Sequence, residues 1–340
     1  MKNRIFVSIL ALLSLSLIIA FLYGCAGTSV STPWIYLGSQ NNNTILIING
    51  STNTSSEPIE LGAYKPHAIA ASPDGKKIYC STDIDHVLII DTATNTKTGS
   101  FEVVNSRQSA GMAVSHDGNF LYMTGTTTNE FFKIYLNGGY TYETTALYDK
   151  ASRIALDATS TRAYVCGGVQ NAGNTYLNKV YLQTMTVESV DLGNYPHDLI
   201  IKDGYVYVAM HSMFGNLAIV NMNDISDFKI FIFSPEREYW GIVNVPGTNK
   251  VYISRAIPIG EVHTTTTSTG TIEFDSLIII TGESFANPGF MAATASKVYV
   301  VDIILTDKVA VIDVASDKIE KYIYGLNGNL YYNNPVIIYK

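Results

Sequence analysis

Seven short segments centred on tyrosine recur along the chain, and their spacing restricts the fold more than any other feature. They are Trp34-Ile35-Tyr36-Leu37, Lys77-Ile78-Tyr79-Cys80, Phe120-Leu121-Tyr122-Met123, Arg162-Ala163-Tyr164-Val165, Tyr205-Val206-Tyr207-Val208, Lys250-Val251-Tyr252-Ile253 and Lys297-Val298-Tyr299-Val300. Consecutive tyrosines lie 43, 43, 42, 43, 45 and 47 residues apart. A period of this size marks a repeat architecture, in which each unit buries its apolar face against its neighbours.

Each unit contains more than the tyrosine segment. An apolar run precedes it, as in Ala68-Ile69-Ala70-Ala71, Gly111-Met112-Ala113-Val114 and Asp198-Leu199-Ile200-Ile201. Pro73-Asp74-Gly75, His116-Asp117-Gly118 and Asp203-Gly204 join the two, and glycine there accepts the positive φ of a hairpin turn. A third run follows: Thr44–Asn49, His86–Asp91, Phe131–Leu136, Asn178–Leu182, Asn216–Asn221, Thr271–Asp275 and Lys308–Asp313. A fourth, more polar strand comes next, as in Thr98–Val103 and Glu188–Leu192. No helical periodicity competes, and abundant Tyr, Thr, Ile and Val suit a pleated surface.

Four antiparallel strands in about 43 residues make the blade of a β-propeller. The expected fold is all-β, a seven-bladed β-propeller of four-stranded antiparallel blades. First strands begin near His67, Ala110, Ser152, His197, Trp240, Gly289 and Asn334. The chain opens on a second strand at Trp34 and closes on a first strand at Asn334–Lys340. Pairing the N-terminal strands with that C-terminal strand completes a blade and removes the free edges.

At this point the units resemble a known family. Ser72-Pro73-Asp74-Gly75-Lys76-Lys77-Ile78-Tyr79, Val87-Leu88-Ile89-Ile90-Asp91-Thr92-Ala93-Thr94-Asn95-Thr96 and Val309-Ala310-Val311-Ile312-Asp313-Val314-Ala315 are similar to the YVTN-type repeats of bacterial and archaeal cell-surface propellers. The resemblance covers residues 33–340, although the tetrad itself is not intact; Leu121-Tyr122-Met123-Thr124-Gly125 and Tyr164-Val165-Cys166-Gly167 come nearest. It implies the fold and a surface location, since one fold hosts many functions.

The first residues point the same way. Lys2 and Arg4 precede an uncharged run from Ile5 to Leu22, followed by Tyr23-Gly24-Cys25-Ala26. A basic start, an apolar stretch and a small-residue junction read as an export signal. Leu22, Gly24 and Cys25 resemble the lipobox of bacterial lipoproteins, in which the cysteine carries lipid; the bulky Tyr23 departs from that pattern. An uncleaved membrane anchor is the other reading of the same run. The expected organisation is a signal peptide over residues 1–24, a lipid-anchored tether over 25–33 and the propeller over 34–340. Nine extended steps from Cys25 to Trp34 reach at most about 30 Å, so the lipid would hold the propeller close to the bilayer. Trp34 enters on the face carrying the first-to-second strand turns. That face is expected to look at the membrane, and the opposite one outward.

Without Lys2 and Arg4 the 22 basic residues become 20, set against 29 acidic, a net charge of −9. No basic run occurs, which argues against nucleic acid and anionic lipid surfaces as partners. With Cys25 used for lipid, Cys80 and Cys166 lie two units apart and are expected to be buried free thiols.

No nucleophile elbow, phosphate-binding loop, dinucleotide fingerprint, zinc-protease helix or calcium loop is present in the sequence. The most suggestive constellation is the pair Pro66-His67 and Pro196-His197, each opening a first strand near the outward mouth of the channel. Arg153 and Asp198 take the next position in their strands, Trp240 shares the histidine position, and His211 follows a second strand toward the same face. These six are the candidate ligand-binding residues. They suit a polar pocket or a metal site, or else His caps buried carbonyls and Pro sets the approach to the strand. No metal, cofactor or catalytic residue is assigned.

Other features have two readings as well. Glu236-Arg237-Glu238-Tyr239-Trp240 is either a recognition loop or a solvated loop whose Trp packs into the channel wall. The stretch from Ile257 to Gly270, with Thr264 to Thr267, reads as a long loop, and Asp83 with Asp85 as a weak cation grip.

Three functions stay open. The leading one is a non-catalytic surface module that recognises an envelope protein, peptide or glycan through its outer face. A lactonase-like hydrolase, by likeness to seven-bladed lactone hydrolases, would need His67, His197 and Arg153 in one water-filled pocket. A structural surface-layer component is the third. A shallow mouth ringed by exposed Tyr and Trp favours recognition.

Overall fold

Burial along the strands shows why these residues build sheets stacked side by side. Second and third strands are buried almost throughout, as in Lys77–Thr82 and Thr44–Asn49, so both faces of the sheet must be covered. Fourth strands are mostly exposed, as in Thr54–Glu60 and Thr96–Glu102, and therefore form a rim. A computed structural model of the chain describes residues 31–151, 153–167, 175–211, 216–232, 239–255, 261–268, 270–279, 288–302, 308–326 and 335–340.

Seven four-stranded antiparallel sheets form the blades of a ring. Blade 1 pairs Val336–Tyr339 with Pro33–Ser39, Thr44–Asn49 and Thr54–Glu60. Blade 2 runs from Pro66–Ala71 to Thr96–Glu102 and blade 3 from Met112–Val114 to Tyr142–Ala146. Blades 4 and 5 span Arg153–Leu156 to Thr186–Asp191 and Tyr195–Lys202 to Phe228–Ile232. Blades 6 and 7 span Tyr239–Asn244 to Thr271–Ile279 and Pro288–Ala293 to Lys318–Ile323. The first strand of each blade meets the first strands of its neighbours, which places it innermost. Seven apolar clusters fill the seven junctions, one between each pair of blades.

Closure follows the sequence expectation. Pro33, Trp34, Ile35 and Tyr36 pair with Tyr339, Ile338, Ile337 and Val336. Lys340 ties the seam to blade 2 through the Thr92 carbonyl and lies 5.2 Å from the Trp34 ring.

Four of the seven repeated tyrosines are latches. Tyr36 donates to Asn95 Oδ1 at 2.9 Å, Tyr164 to the Met222 carbonyl at 2.9 Å, Tyr252 to Asp317 Oδ1 at 2.5 Å and Tyr299 to Asn53 Oδ1 at 3.0 Å. Each acceptor lies in the third-to-fourth strand turn of the next blade. Asn53, Asn95 and Asp317 have φ of 52°, 53° and 55°, a conformation that short polar side chains tolerate. Turn chemistry thus also supplies the acceptor that locks adjacent blades.

Blade 6 departs from the sequence expectation. Its third strand is Glu261–Ser268, not Thr271–Asp275, and Thr271–Ile279 is the fourth. The threonine stretch is therefore strand rather than loop; Thr264, Thr265 and Thr267 are buried inside it, as β-branching permits. Residues 256–260 lie outside the description. The first strand of blade 3 begins at Met112, two residues after Ala110, and that of blade 1 at Val336. Cys80 and Cys166 are buried free thiols, as expected, and burial pushes both well above the ordinary thiol range. Cys25 and the rest of residues 1–30 also lie outside the description.

Candidate functional site

First strands begin with one residue too many. The register slips between Pro66 and Ile69, Pro196 and Asp198, Tyr239 and Ile242, and Pro288 and Met291, one extra residue in each case. Such bulges bend the strand and re-aim side chains. The residues in or beside them are His67, His197, Trp240 and Phe290. A proline, which suits the start of a strand, opens three of the four.

The structure brings Arg153, His197, Asp198, His211 and Trp240 together and adds Phe290. His197 Nδ1 lies 2.8 Å from the Trp240 carbonyl, which can only accept, so the ring carries its proton there and leaves Nε2 bare. Its ring centroid is 4.5 Å from Trp240, 5.8 Å from His211 and 5.6 Å from Phe290, the last nearly parallel at 7°. Burial, with help from Arg153 and His211, holds His197 down to about 3. The imidazole is therefore neutral at pH 7.

Asp198 accepts from the Leu199 N–H and, across the junction, from the Ile242 N–H, both at 3.0 Å. Burial pushes its carboxyl up to about 6, against the pull of Arg153 and those two donors. Arg153 Nε lies 3.9 Å from Asp198 Oδ1, its Nη1 donates to the Ala110 carbonyl at 2.6 Å, and its guanidinium stands 3.8 Å from the Phe290 ring centroid. Blades 4 and 7 are as far apart as two blades in a ring of seven can be. The guanidinium therefore reaches across the axis and, with Phe290, forms a plug. Arg153 is 4 % exposed and Trp240 3 %.

His67 is placed differently. It is buried on blade 2, its Nδ1 3.3 Å from Gln40 Nε2 in the outer connection of blade 1, and burial holds it down to about 4. Trp240 is buried in the channel wall, while Glu236, Arg237 and Glu238 lie outside the described residues. Asp83 accepts from the Lys65 N–H and Asp85 from the Arg107 N–H, so each carboxylate also ties down a backbone connection. Among the described residues no cluster of three or more His, Cys, Asp or Glu could hold a metal ion.

Sequence reasoning missed Phe290 and two serines. Ser81 Oγ takes the Ala68 N–H at 2.9 Å and donates to the Ser109 carbonyl at 2.7 Å; Ser254 Oγ does the same for the Gly241 N–H and the Gly289 carbonyl, at 2.8 and 2.6 Å. Each bolts a bulge to the next blade. The signal was available: both serines stand two residues after a repeat tyrosine.

The outward face carries a second feature. Ile84 lies in a second-to-third strand connection, Val104 and Tyr148 in fourth-to-first connections, and Tyr195 and Tyr324 at the edges of two more. All five are exposed, Tyr148 at 65 %, and its ring centroid is 4.0 Å from that of Tyr176. These connections belong to blades 1 to 5 and 7, so the apolar side chains are spread around the outward face, most of them beside the outer strands and Tyr195 at the start of an inner one.

No family model matches the chain, and no curated protein matches it. Solved structures do. A functionally unknown protein from Desulfotomaculum acetoxidans has a TM-score of 0.71 at 14% identity, covering 90% of this chain and 99% of that one. Hydrazine synthase of Kuenenia stuttgartiensis has a TM-score of 0.65 at 15% identity, over 81% of this chain and 95% of that one. The β-propeller domain of Cps50 (Swd1) from Myceliophteria thermophila has a TM-score of 0.61 at 9% identity, over 76% of this chain and 86% of that one. The chain is a seven-bladed β-propeller. At these identities the likeness concerns the fold alone.

Proposed function

We propose that this chain is an exported propeller, held at a membrane by lipid on Cys25, that recognises an envelope protein, peptide or glycan with its outward face. The observation that carries the reading is a group of exposed apolar side chains, Ile84, Val104, Tyr148, Tyr195 and Tyr324, spread over the outward connections. Exposed aromatic and aliphatic groups gathered on one face mark interaction surfaces, where tyrosine offers a large rigid contact area at low entropic cost.

The polar groups of the plug support recognition over chemistry. Arg153 is committed to the Ala110 carbonyl and the Phe290 ring, His197 to the Trp240 carbonyl and Asp198 to two backbone N–H groups. A general base or oxyanion-stabilising group must face a substrate, and these face the protein. Export and the anchor rest on Lys2, Arg4, the run Ile5–Leu22 and Cys25. The acidic mature chain suits a partner other than nucleic acid.

Affinity recovery from solubilised envelopes tests the reading, with the wild-type chain beside a Tyr148→Ser/Tyr195→Ser variant. One near-stoichiometric partner, lost with the variant, is expected. No partner, or equal recovery by the variant, overturns it.

A further inference from the structure

Tyr122 is a latch whose acceptor is missing. It stands at the repeat position of blade 3 and is 2 % exposed, and its hydroxyl has no hydrogen-bond partner among the described residues. The turn it faces on blade 4 is Leu182–Met185. Where Tyr36, Tyr164, Tyr252 and Tyr299 close on the next blade, Tyr122 opens on a cavity of about 530 Å³ at the rim opposite the exposed apolar group. That is a small-ligand volume, within the range of roughly 300–1,000 Å³ usual for such sites.

Two cations line the same cavity. Lys133 is 7 % exposed and pairs with Glu143 at 2.8 Å. Arg162 lies 6.0 Å from the Tyr181 ring centroid, and none of the described carboxylates forms an ion pair with it. Three well-buried blade cations are paired with acids: Lys133 with Glu143, Lys179 with Glu188 and Arg153 with Asp198. Lys133 and Lys179 are taken up by Glu143 and Glu188, so the Arg162 guanidinium and the Tyr122 hydroxyl are the donors left to an occupant, which favours an anion. Phe120, Tyr181 and Leu182 supply apolar wall, and Gln183 and Thr184 add groups that both donate and accept.

The cavity mouth is braced from both blades. Ser160 has φ of 51°, and its Oγ takes the His116 N–H at 3.0 Å and lies 2.5 Å from His116 Nδ1. That bond joins the first-to-second strand turns of blades 3 and 4, so the space is formed in the absence of an occupant. Such preorganisation lowers the entropic cost of binding.

We propose that the groove between blades 3 and 4 binds a carboxylate-bearing sugar unit, with the carboxylate on Arg162, a ring oxygen or hydroxyl on Tyr122 and the ring faces against Phe120 and Tyr181. Many hydroxyls match Gln183, Thr184 and the turn hydroxyls, the carboxylate answers the unpaired guanidinium, and the sugar's CH faces answer the aromatic walls. This is a second site, independent of the outward group.

Titration calorimetry of the folded chain with glucuronate, glucose and benzoate tests it, alongside Arg162→Gln, Tyr122→Phe and the distant control Tyr195→Ser. Saturable binding of glucuronate is expected, weakened about tenfold or more by Arg162→Gln, less by Tyr122→Phe and not by Tyr195→Ser, with glucose at least about tenfold weaker. Urea midpoints of the variants show that each is folded. Absence of saturable glucuronate binding, binding unchanged in Arg162→Gln, or benzoate bound as well as glucuronate overturns the proposal.

Discussion

Replacing Arg153 by methionine tests whether the plug holds the ring together. Methionine keeps much of the stem's volume and removes the charge. Three things are lost: the donor to the Ala110 carbonyl, the cation over Phe290 and the counter-charge 3.9 Å from Asp198. Breaking a buried pair costs about 3–5 kcal/mol, and a desolvated cation–π contact about 2 kcal/mol. The terms overlap, and Asp198 keeps its two N–H donors. The expected cost is therefore about 4 kcal/mol at pH 7.5, read as the urea midpoint from tryptophan fluorescence. The cost also depends on pH with a definite sign. Asp198 in the folded chain titrates near 6, above its ordinary 3.8, so the proton favours folding: this stabilisation is complete below the ordinary value and is lost as pH rises through about 6. Removing Arg153 moves that value higher still, so the gap between variant and wild type should narrow at pH 5 by about 1–2 kcal/mol. Adding Asp198→Asn should give the same relief at both pH values. A cost under about 1 kcal/mol, or one equal at pH 5 and 7.5, would refute the role given to the pair.

The histidines move stability the other way. His67 and His197 have folded values of about 4 and about 3, below the ordinary 6.5, so their contribution is complete above 6.5 and is lost as pH falls toward those values. His67→Gln should remove about 2–3 kcal/mol of the loss between pH 6.5 and 4, and an unchanged acid limb in urea titrations would contradict this. Tyr299→Phe, which breaks the latch to Asn53 at the ring seam, should cost about 1–2 kcal/mol, and Tyr122→Phe under about 0.5; equal midpoints would dissolve the latch account. Metabolic labelling with a fatty acid should mark the wild-type chain and not Cys25→Ser, with the variant released from the membrane fraction. Label retained in the variant, or absent from the wild type, would remove the anchor.

Much of the fold could be read from the repeat because each blade writes its second strand with the same buried tyrosine. Thr44–Asn49, His86–Asp91 and Asn216–Asn221 coincide with the observed third strands residue for residue. Blade 6 could not be read this way. Thr264 to Thr267 carries no apolar alternation, and the stretch past it, Thr271–Ile279, has the apolar character expected of a third strand. Threonine hydroxyls can be buried where the neighbouring backbone accepts them, a condition set by the next strand rather than by the stretch itself. The candidate site was partly legible. Pro66 and Pro196 pointed to the histidines, but the extra residue that re-aims them is a property of the pairing register. Arg153 meeting Phe290 is a property of ring closure, which brings together residues that no local pattern connects. Tyr122 shows the same limit: its segment looks like the other six, and only the turn opposite reveals that its hydroxyl is left over.

Site-specific photo-crosslinking in the intact producing cells addresses the recognition role most directly. A photoreactive residue is placed at Tyr148 or Tyr195 on the outward face, or at Tyr135 or Tyr142, which flank a third-to-fourth strand turn on the opposite one. One discrete adduct with an envelope component, formed from Tyr148 and Tyr195 and not from Tyr135 or Tyr142, is the predicted result. Adducts from the opposite face alone, or none from the outward face with the protein folded and abundant, would contradict it.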